Sequence, residues 1–135
     1  MKLKEIAEIK TGYFVNRNEK KDIGDFLYLT ASNISDDNLI NLKYKLYVDN
    51  SDKINKYIIQ QEDIIMVIVG FKIANIILYK DKNNNIIIGS SLIIIRSKDK
   101  NLFNKLIQKK ETIKSLAKGK VLSRIYIKDI LELEI

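Results

Sequence analysis

Apolar positions along this chain change their spacing several times, and each change predicts a different kind of element. Near the start, Leu3, Ile6 and Ala7 follow helical spacing and predict a short helix that exits through Lys10-Thr11-Gly12. The polar stretch 16–25 carries Arg17, Lys20 and Lys21 and predicts an exposed loop. Phe26-Leu27-Tyr28-Leu29-Thr30 has strand composition and leads into a turn-rich segment, 31–38. Residues 44–48 predict another short strand and 51–55 a brief helical turn. Three stronger strand signals follow at 64–69, 73–79 and 86–96, all rich in isoleucine. The polar turn 80–85 between the last two predicts an antiparallel hairpin. Gly89 interrupts the β-branched run, which marks a bulge or a close backbone approach and predicts a strongly curved sheet.

After Ser97 the period becomes helical. Leu102, Phe103, Leu106, Ile107, Ile113, Leu116 and Ala117 form one apolar stripe, with Ser97 or Asp99 as candidate N-cap and Gly119 at the C-terminal glycine position. Residues 127–130 predict a turn, and Leu131-Glu132-Leu133-Glu134-Ile135 alternates like a strand. The fold class is therefore α+β, a single domain with a strongly curved, mainly antiparallel β-sheet and a few short helices. No internal repeat or linker divides the chain.

Composition narrows the chemistry. The chain has 135 residues and no His, Cys, Trp or Pro, which removes Ser–His and Cys–His nucleophiles and zinc sites built on those ligands. Its five glycines are too dispersed for a phosphate-binding loop. The only Glu-x-Lys spacings, Glu8-Ile9-Lys10 and Glu19-Lys20-Lys21, lack the upstream Asp of a nuclease cluster. No catalytic residue, metal or cofactor is expected. The apolar uncharged runs, about ten residues or fewer, are too short to span a bilayer. Lysines and glutamates in the first ten residues break any signal-peptide pattern, and without cysteine there is no disulfide framework, so a cytoplasmic location is expected.

The formal net charge of +7 suits a nucleic-acid partner, because neutralising phosphates releases condensed counterions. Two facts weaken charge as an argument. The Ile-, Lys- and Asn-rich composition is that of an A/T-rich coding sequence, and Arg, the better reader of guanine, occurs only as Arg17, Arg96 and Arg124.

Order and spacing of short motifs say more. Ile9-Lys10-Thr11-Gly12, Tyr28-Leu29-Thr30-Ala31-Ser32-Asn33-Ile34, Glu62-Asp63-Ile64-Ile65 with Gly70, Leu92-Ile93-Ile94-Ile95-Arg96, and Ala117-Lys118-Gly119 followed by Ile125 and Ile127-Lys128-Asp129-Ile130 occur in that sequence. Together they resemble one target recognition domain of the specificity subunits of type I restriction-modification systems, over Lys2 to Ile135. The chain departs from the family pattern at Glu62, at Phe71-Lys72-Ile73, and at Lys118 and Lys120, where glycine or small hydroxyl residues are usual. Residues 1–135 are expected to form one such domain, without the family's long connecting helix.

The resemblance implies a reader without catalysis that recognises half of a bipartite duplex DNA target. Methylation with S-adenosylmethionine would belong to a methyltransferase subunit and ATP-driven cleavage to a restriction subunit. Self-association or pairing with a second specificity domain would complete the target, and no membrane is involved. Phosphate-positioning candidates are Lys10, Arg17, Lys20, Lys21, Lys72, Lys118 and Lys120. Base-edge candidates are Asn18, Ser32, Asn33 and Arg124, while Thr11 and Tyr13 fit either role; Ser32 and Asn33 equally fit ordinary turn roles through local backbone hydrogen bonds. Gly12 and Gly119 are expected to supply left-handed backbone geometry. Two rival readings are an orphan or truncated specificity domain that regulates methyltransferase or specificity subunits, and a magnesium enzyme built on Asp36-Asp37 or Glu62-Asp63.

Overall fold

The computed structural model describes residues 1–83 and 85–135. Asn84, within the turn expected at 80–85, lies outside the described residues. The elements in chain order are α1 (Leu3–Ile6), β1 (Ala7–Thr11), β2 (Phe26–Leu29), β3 (Leu46–Val48), β4 (Ile64–Val67), β5 (Ile76–Leu78), β6 (Ile86–Ile88), β7 (Leu92–Ser97), α2 (Leu102–Gln108), α3 (Lys110–Lys114) and α4 (Ile127–Leu131), with short 3-10 turns at Arg17–Glu19, Ala31–Asn33 and Asn55–Tyr57.

The strands form two sheets, ordered β1-β7-β4-β5 and β3-β2-β6. All pairings are antiparallel except β2 with β6. The α+β class with mainly antiparallel strands and few short helices holds, and the curvature expected at Gly89 takes the form of a passage between sheets. Ile86–Ile88 lies beside β2, the Gly89 N–H donates to the Leu29 carbonyl (2.8 Å), and Leu92 turns back on the Gly89 carbonyl (3.0 Å). From Leu92 the chain runs in the other sheet between β1 and β4.

Layering explains the isoleucine runs. Ile64, Met66, Ile93 and Ile95 face a core completed by Leu3, Leu102, Leu106, Ile113, Ile125, Ile130 and Leu133. Their neighbours Ile65, Val67, Leu92 and Ile94 face the other way, onto Leu27, Leu29, Ile86 and Ile88 of the smaller sheet. The four-stranded sheet is thus covered on both faces, so β4 is buried at every position and shows no alternation. A third cluster of Val15, Tyr28, Val48, Ile54 and Ile87 closes the outer face of the small sheet.

Several local expectations are corrected. The first helix stops at Ile6, and Ala7–Thr11 is a strand, because pairing along β7 satisfies its backbone from Ala7↔Ser97 to Thr11↔Ile93. The hairpin partner of β5 is β4, not the strand after residue 85, since β6 is held by β2. The helix after β7 begins beyond Asn101; Asp99 acts one step earlier, accepting the Asn101 N–H (2.9 Å), and Ser97 accepts the Asp99 N–H (3.0 Å). Residues 127–131 form a helix, and the chain end is no strand but a single bridge, Lys2↔Glu134. Around that bridge Leu3 donates to the Leu133 carbonyl (2.8 Å), and the Lys2 and Lys4 ammoniums clasp Glu132 at 2.5 and 2.6 Å.

Gly12 is not left-handed as expected. A Cβ there would fall 1.8 Å from the Gly89 carbonyl oxygen, so what it provides is room where the two sheets meet. Gly119 does adopt a left-handed φ of 114°, but in a loop beyond the helices and not as their C-cap.

Candidate nucleic-acid interface

Strand register brings several loops to one end of the molecule. Thr11 at the end of β1 is opposite Ile93, and Val67 at the end of β4 is opposite Leu92. The parallel strands β2 and β6 finish side by side at Leu29 and Ile88. The segments leaving these ends are therefore neighbours: Gly12, the 30–44 loop, Ser90, and the connection from Val67 to Ile76. The Lys118–Arg124 ribbon joins them, with Arg124 bridged to both Lys118 and Val69, and with Ile125 N–H donating to the Ile68 carbonyl (2.8 Å).

Segments from the two halves of the chain meet here. Thr11 and Gly12 line a cleft of about 300 Å³ together with Ser90, Arg124 and Tyr126, over an apolar floor of Ile68, Leu92, Ile93 and Ile125. Ser90 and Tyr126 were not singled out from the sequence, which gives no signal for either. A separate cavity of about 330 Å³, lined by Glu62, Ile64, Leu78, Lys98, Asp99 and Phe103 among others, contains none of the expected site residues.

The expected contacts divide into three groups. Thr11, Ser32, Lys72, Lys118, Lys120 and Arg124 lie on the loops at this end. Ser32 is exposed, and its hydroxyl is 2.8 Å from that of Thr30. The Lys72 ammonium reaches the Ile34 carbonyl at 3.4 Å, tying the β4–β5 connection to the 30–44 loop. Asn75 adds to that tie by donating to Asp36 (2.8 Å) and accepting from Lys110 (2.8 Å). The Asn75 bond, then the charges of Lys110, Lys72 and Lys114, hold the Asp36 carboxyl below its usual range. Lys118 sits 3.4 Å from Asp129, whose inner oxygen is buried and makes no hydrogen bond. Lys120 and Arg124 are exposed, and among the described residues neither has an ion-pair partner.

A second group lies on the turn after Tyr13. Arg17, Asn18 and Lys20 are exposed there, while Lys21 pairs with Asp49 and its backbone bridges Tyr47 of the small sheet. Tyr13 holds this turn in place: its hydroxyl donates to Glu19 (2.7 Å) and its ring tilts against Tyr57 at 5.2 Å. That bond raises the Tyr13 phenol, while the Asn16 N–H and then Tyr13 hold Glu19 below its usual range. Lys10 stands apart on β1, 3.3 Å from Glu8.

Asn33 forms the third case and faces inward. It is buried, its oxygen accepts the Thr30 N–H (2.9 Å), and its amide donates to the carbonyls of Asn41 (3.0 Å) and Tyr44 (2.9 Å). Every strong bond it can make is used to shape the 30–44 loop. The acidic pairs behave similarly. Asp63 is gripped by Arg96 at 2.8 and 2.7 Å, Glu62 lies 3.6 Å from Lys80, and Asp36 is bonded to Asn75. Among the described residues no group of three acidic side chains could hold a metal ion. No helix among them is long and apolar enough to cross a membrane.

Comparison with known proteins agrees with this fold. The chain is similar to the S subunit of the type I restriction-modification system from M. genitalium, with a TM-score of 0.69 and 17% identity over 98% of this chain and 32% of that one. It is also similar to the HsdS subunit from Thermoanaerobacter tengcongensis, with a TM-score of 0.73 and 14% identity over 98% and 31%. A third similar chain, from a structure addressing complex assembly and conformational transition of the type I R-M system, gives 0.71 and 12% over 98% and 31%. At such identities the likeness establishes the fold, and this chain spans about a third of each of those chains. No curated protein sequence matches it. The family model described as type I restriction modification DNA specificity domain matches residues 1–135, and the chain belongs to that family.

Proposed function

We propose that this domain reads one half of a bipartite duplex DNA target and has no catalysis of its own. The observation that carries the reading is the gathering of Thr11, Ser32, Lys72, Lys120 and Arg124 on loops from distant parts of the chain at one end of the sheets. Lysines there would fix register on phosphates, and Arg124 and Thr11 at the mouth of the cleft would meet base edges. Ser32 remains a base-edge candidate, and Lys118 a phosphate contact in competition with Asp129. Arg17, Asn18, Lys20 and Lys21 would extend the footprint along the backbone, with Tyr13 placing their turn. Lys10, next to Glu8, would contribute least.

Methylation would reside in a methyltransferase subunit of the same cytoplasmic complex, cleavage in a restriction subunit, and the second half-site would be read by another specificity domain. A module acting only on other subunits would not need unpaired cations around a cleft. The test is selection of bound duplexes from a random library, followed by fluorescence anisotropy on the enriched and scrambled sequences. Preference for the enriched duplex, with affinity falling steeply as salt rises, is expected. Equal affinity for both at physiological salt would refute sequence reading.

A further inference from the structure

Three apolar side chains stand fully or largely in solvent on the same two loops. Phe71 has a relative exposure of 108%, Val121 of 101% and Leu122 of 60%. Phe71 lies on the β4–β5 connection, and Val121 and Leu122 lie at the tip of the Lys118–Arg124 ribbon. The loops are joined by the Gly70 N–H donating to the Ser123 carbonyl (3.0 Å) and by the Val69↔Arg124 bridge.

The geometry that exposes Phe71 is maintained against local preference. Gly70 and Ala74, with φ of 96° and 71°, are both left-handed and bracket the turn. A Cβ on Gly70 would meet nothing within 4 Å, so this glycine serves backbone conformation and not space. Left-handed backbone is unfavourable for a residue with a Cβ, and such strain gathers where a loop must hold a functional shape. Within that turn Ile73 is buried while Phe71 points out, so the turn separates an anchor from an exposed probe.

Charge identifies the occupant. Gly70-Phe71-Lys72 and Lys118-Gly119-Lys120-Val121-Leu122-Ser123-Arg124 carry four cationic side chains and no acidic one. Apolar tips on loops whose own charges are all basic fit a ligand whose edges are phosphates and whose interior offers apolar groups, as duplex DNA does. Lys118 and Arg124 exchange backbone bonds of 2.9 Å in both directions, a single bridge that closes the projecting loop. The major groove is wide enough to admit protein structure, and the thymine methyl is the apolar feature on its base edges.

Building on the proposed function, we propose that Phe71 and Val121 are specificity-determining residues that recognise a thymine C5-methyl in the major groove, while Lys72 and Lys120 hold the flanking phosphates. The test uses the 135-residue chain and its Phe71→Ser and Val121→Ser variants, each passed through duplex selection. Because both side chains lie in solvent, the variants should keep the wild-type melting curve. Wild type should enrich a thymine that the variants no longer require. Replacing that thymine by deoxyuridine, which removes only the methyl, should weaken wild type by roughly tenfold, within the usual cost of one wrong base pair. It should change the serine variants little, and the salt dependence of binding should stay the same in all three. Unchanged selection in both variants, or indifference of wild type to deoxyuridine, overturns the inference and leaves the proposed function standing. If wild type enriches nothing, the proposed function itself fails and this inference fails with it. Variants that lose binding to a methyltransferase subunit while selecting the same duplexes would show the tip to be a protein-docking surface, which also overturns it.

Discussion

Replacing Asp63 by Ala should destabilise the domain heavily without altering which DNA it prefers. Asp63 opens β4 with its side chain 2% exposed, and its two oxygens accept from Arg96 Nε (2.8 Å) and from the other arm of the guanidinium (2.7 Å). One of those oxygens also accepts the Gln60 N–H at 2.7 Å. Alanine leaves the Arg96 guanidinium, itself only 26% exposed, without its counter-ion. Breaking one side of a buried pair typically costs about 3–5 kcal/mol, because the remaining charge is uncompensated. With an unfolding entropy of about 0.3 kcal/mol per degree for a chain of this size, the melting temperature should fall by roughly 10–18 °C. Calorimetry measures this directly. Asp63→Ala/Arg96→Met should recover a large part of the loss, since removing both charges removes the desolvation problem. The pair joins the start of β4 to the end of β7, whereas the cleft lies beyond the opposite ends of those strands. Duplex selection below the melting transition should therefore match wild type. A loss under about 1 kcal/mol, or a double variant no more stable than Asp63→Ala, would refute the account of the pair.

Gly12→Ala should prevent stable folding at ordinary temperature, because its Cβ would lie 1.8 Å from the backbone oxygen of Gly89 and neither strand can move without disturbing a sheet; a native-like melting curve would refute this. Glu132, clasped by Lys2 and then Lys4, has its carboxyl lowered to about 2 from an ordinary 4.5. A carboxyl lowered on folding stabilises above the unfolded pKa, and this contribution is lost as pH falls towards the folded one. The melting-temperature gap between wild type and Glu132→Gln should thus be full above about pH 4.5 and shrink towards pH 2, and a carboxyl NMR titration midpoint near 4.5 would refute the clasp. Lys120→Ala should weaken binding to every duplex and lower the salt slope by about one unit while leaving stability unchanged. Lys118→Ala should instead lower the melting temperature, because it strips the buried oxygen of Asp129 of its nearest cation; anisotropy and melting curves on the two variants separate these effects.

The central strands were legible in the sequence, but β1 and the chain end were not, and neither was strand pairing. Runs such as Ile64–Val67 and Leu92–Ser97 announce β structure through composition, but residues buried on both faces carry no alternation to fix a register or a partner. The spacing of Leu3, Ile6 and Ala7 predicts helix onward to Lys10-Thr11-Gly12, and it is the edge offered by β7 that decides where the helix stops. The candidate site shows the same division. Its basic loop residues could be named from residue type, whereas residue type left Asn33 equally a turn residue and a base contact, because an amide that faces inward looks the same in sequence as one that faces a ligand. Phe71 and Val121 escaped notice for the opposite reason, since apolar residues are assumed to be core until a backbone turn exposes them.

The passage at Gly89 accounts for both the gathering of distant segments at one end and the freedom of the loops. Ile86–Ile88 and Leu92–Ser97 form one stretch of chain that serves as an edge of the small sheet and an inner strand of the large one. β1 docks along its second half, so Thr11-Gly12 is carried to the Gly89 crossing, and β4 docks on the other side, so the Val67–Ile76 connection arrives there too. The ribbon after α3 is then tied in the same place by backbone bonds to Ile68 and Gly70, on either side of Val69. The core is complete without any side chain between Lys118 and Arg124, and without Phe71. Side chains on these tips can therefore change while the isoleucine layers stay intact, and a scaffold built this way can alter what it reads without altering how it folds.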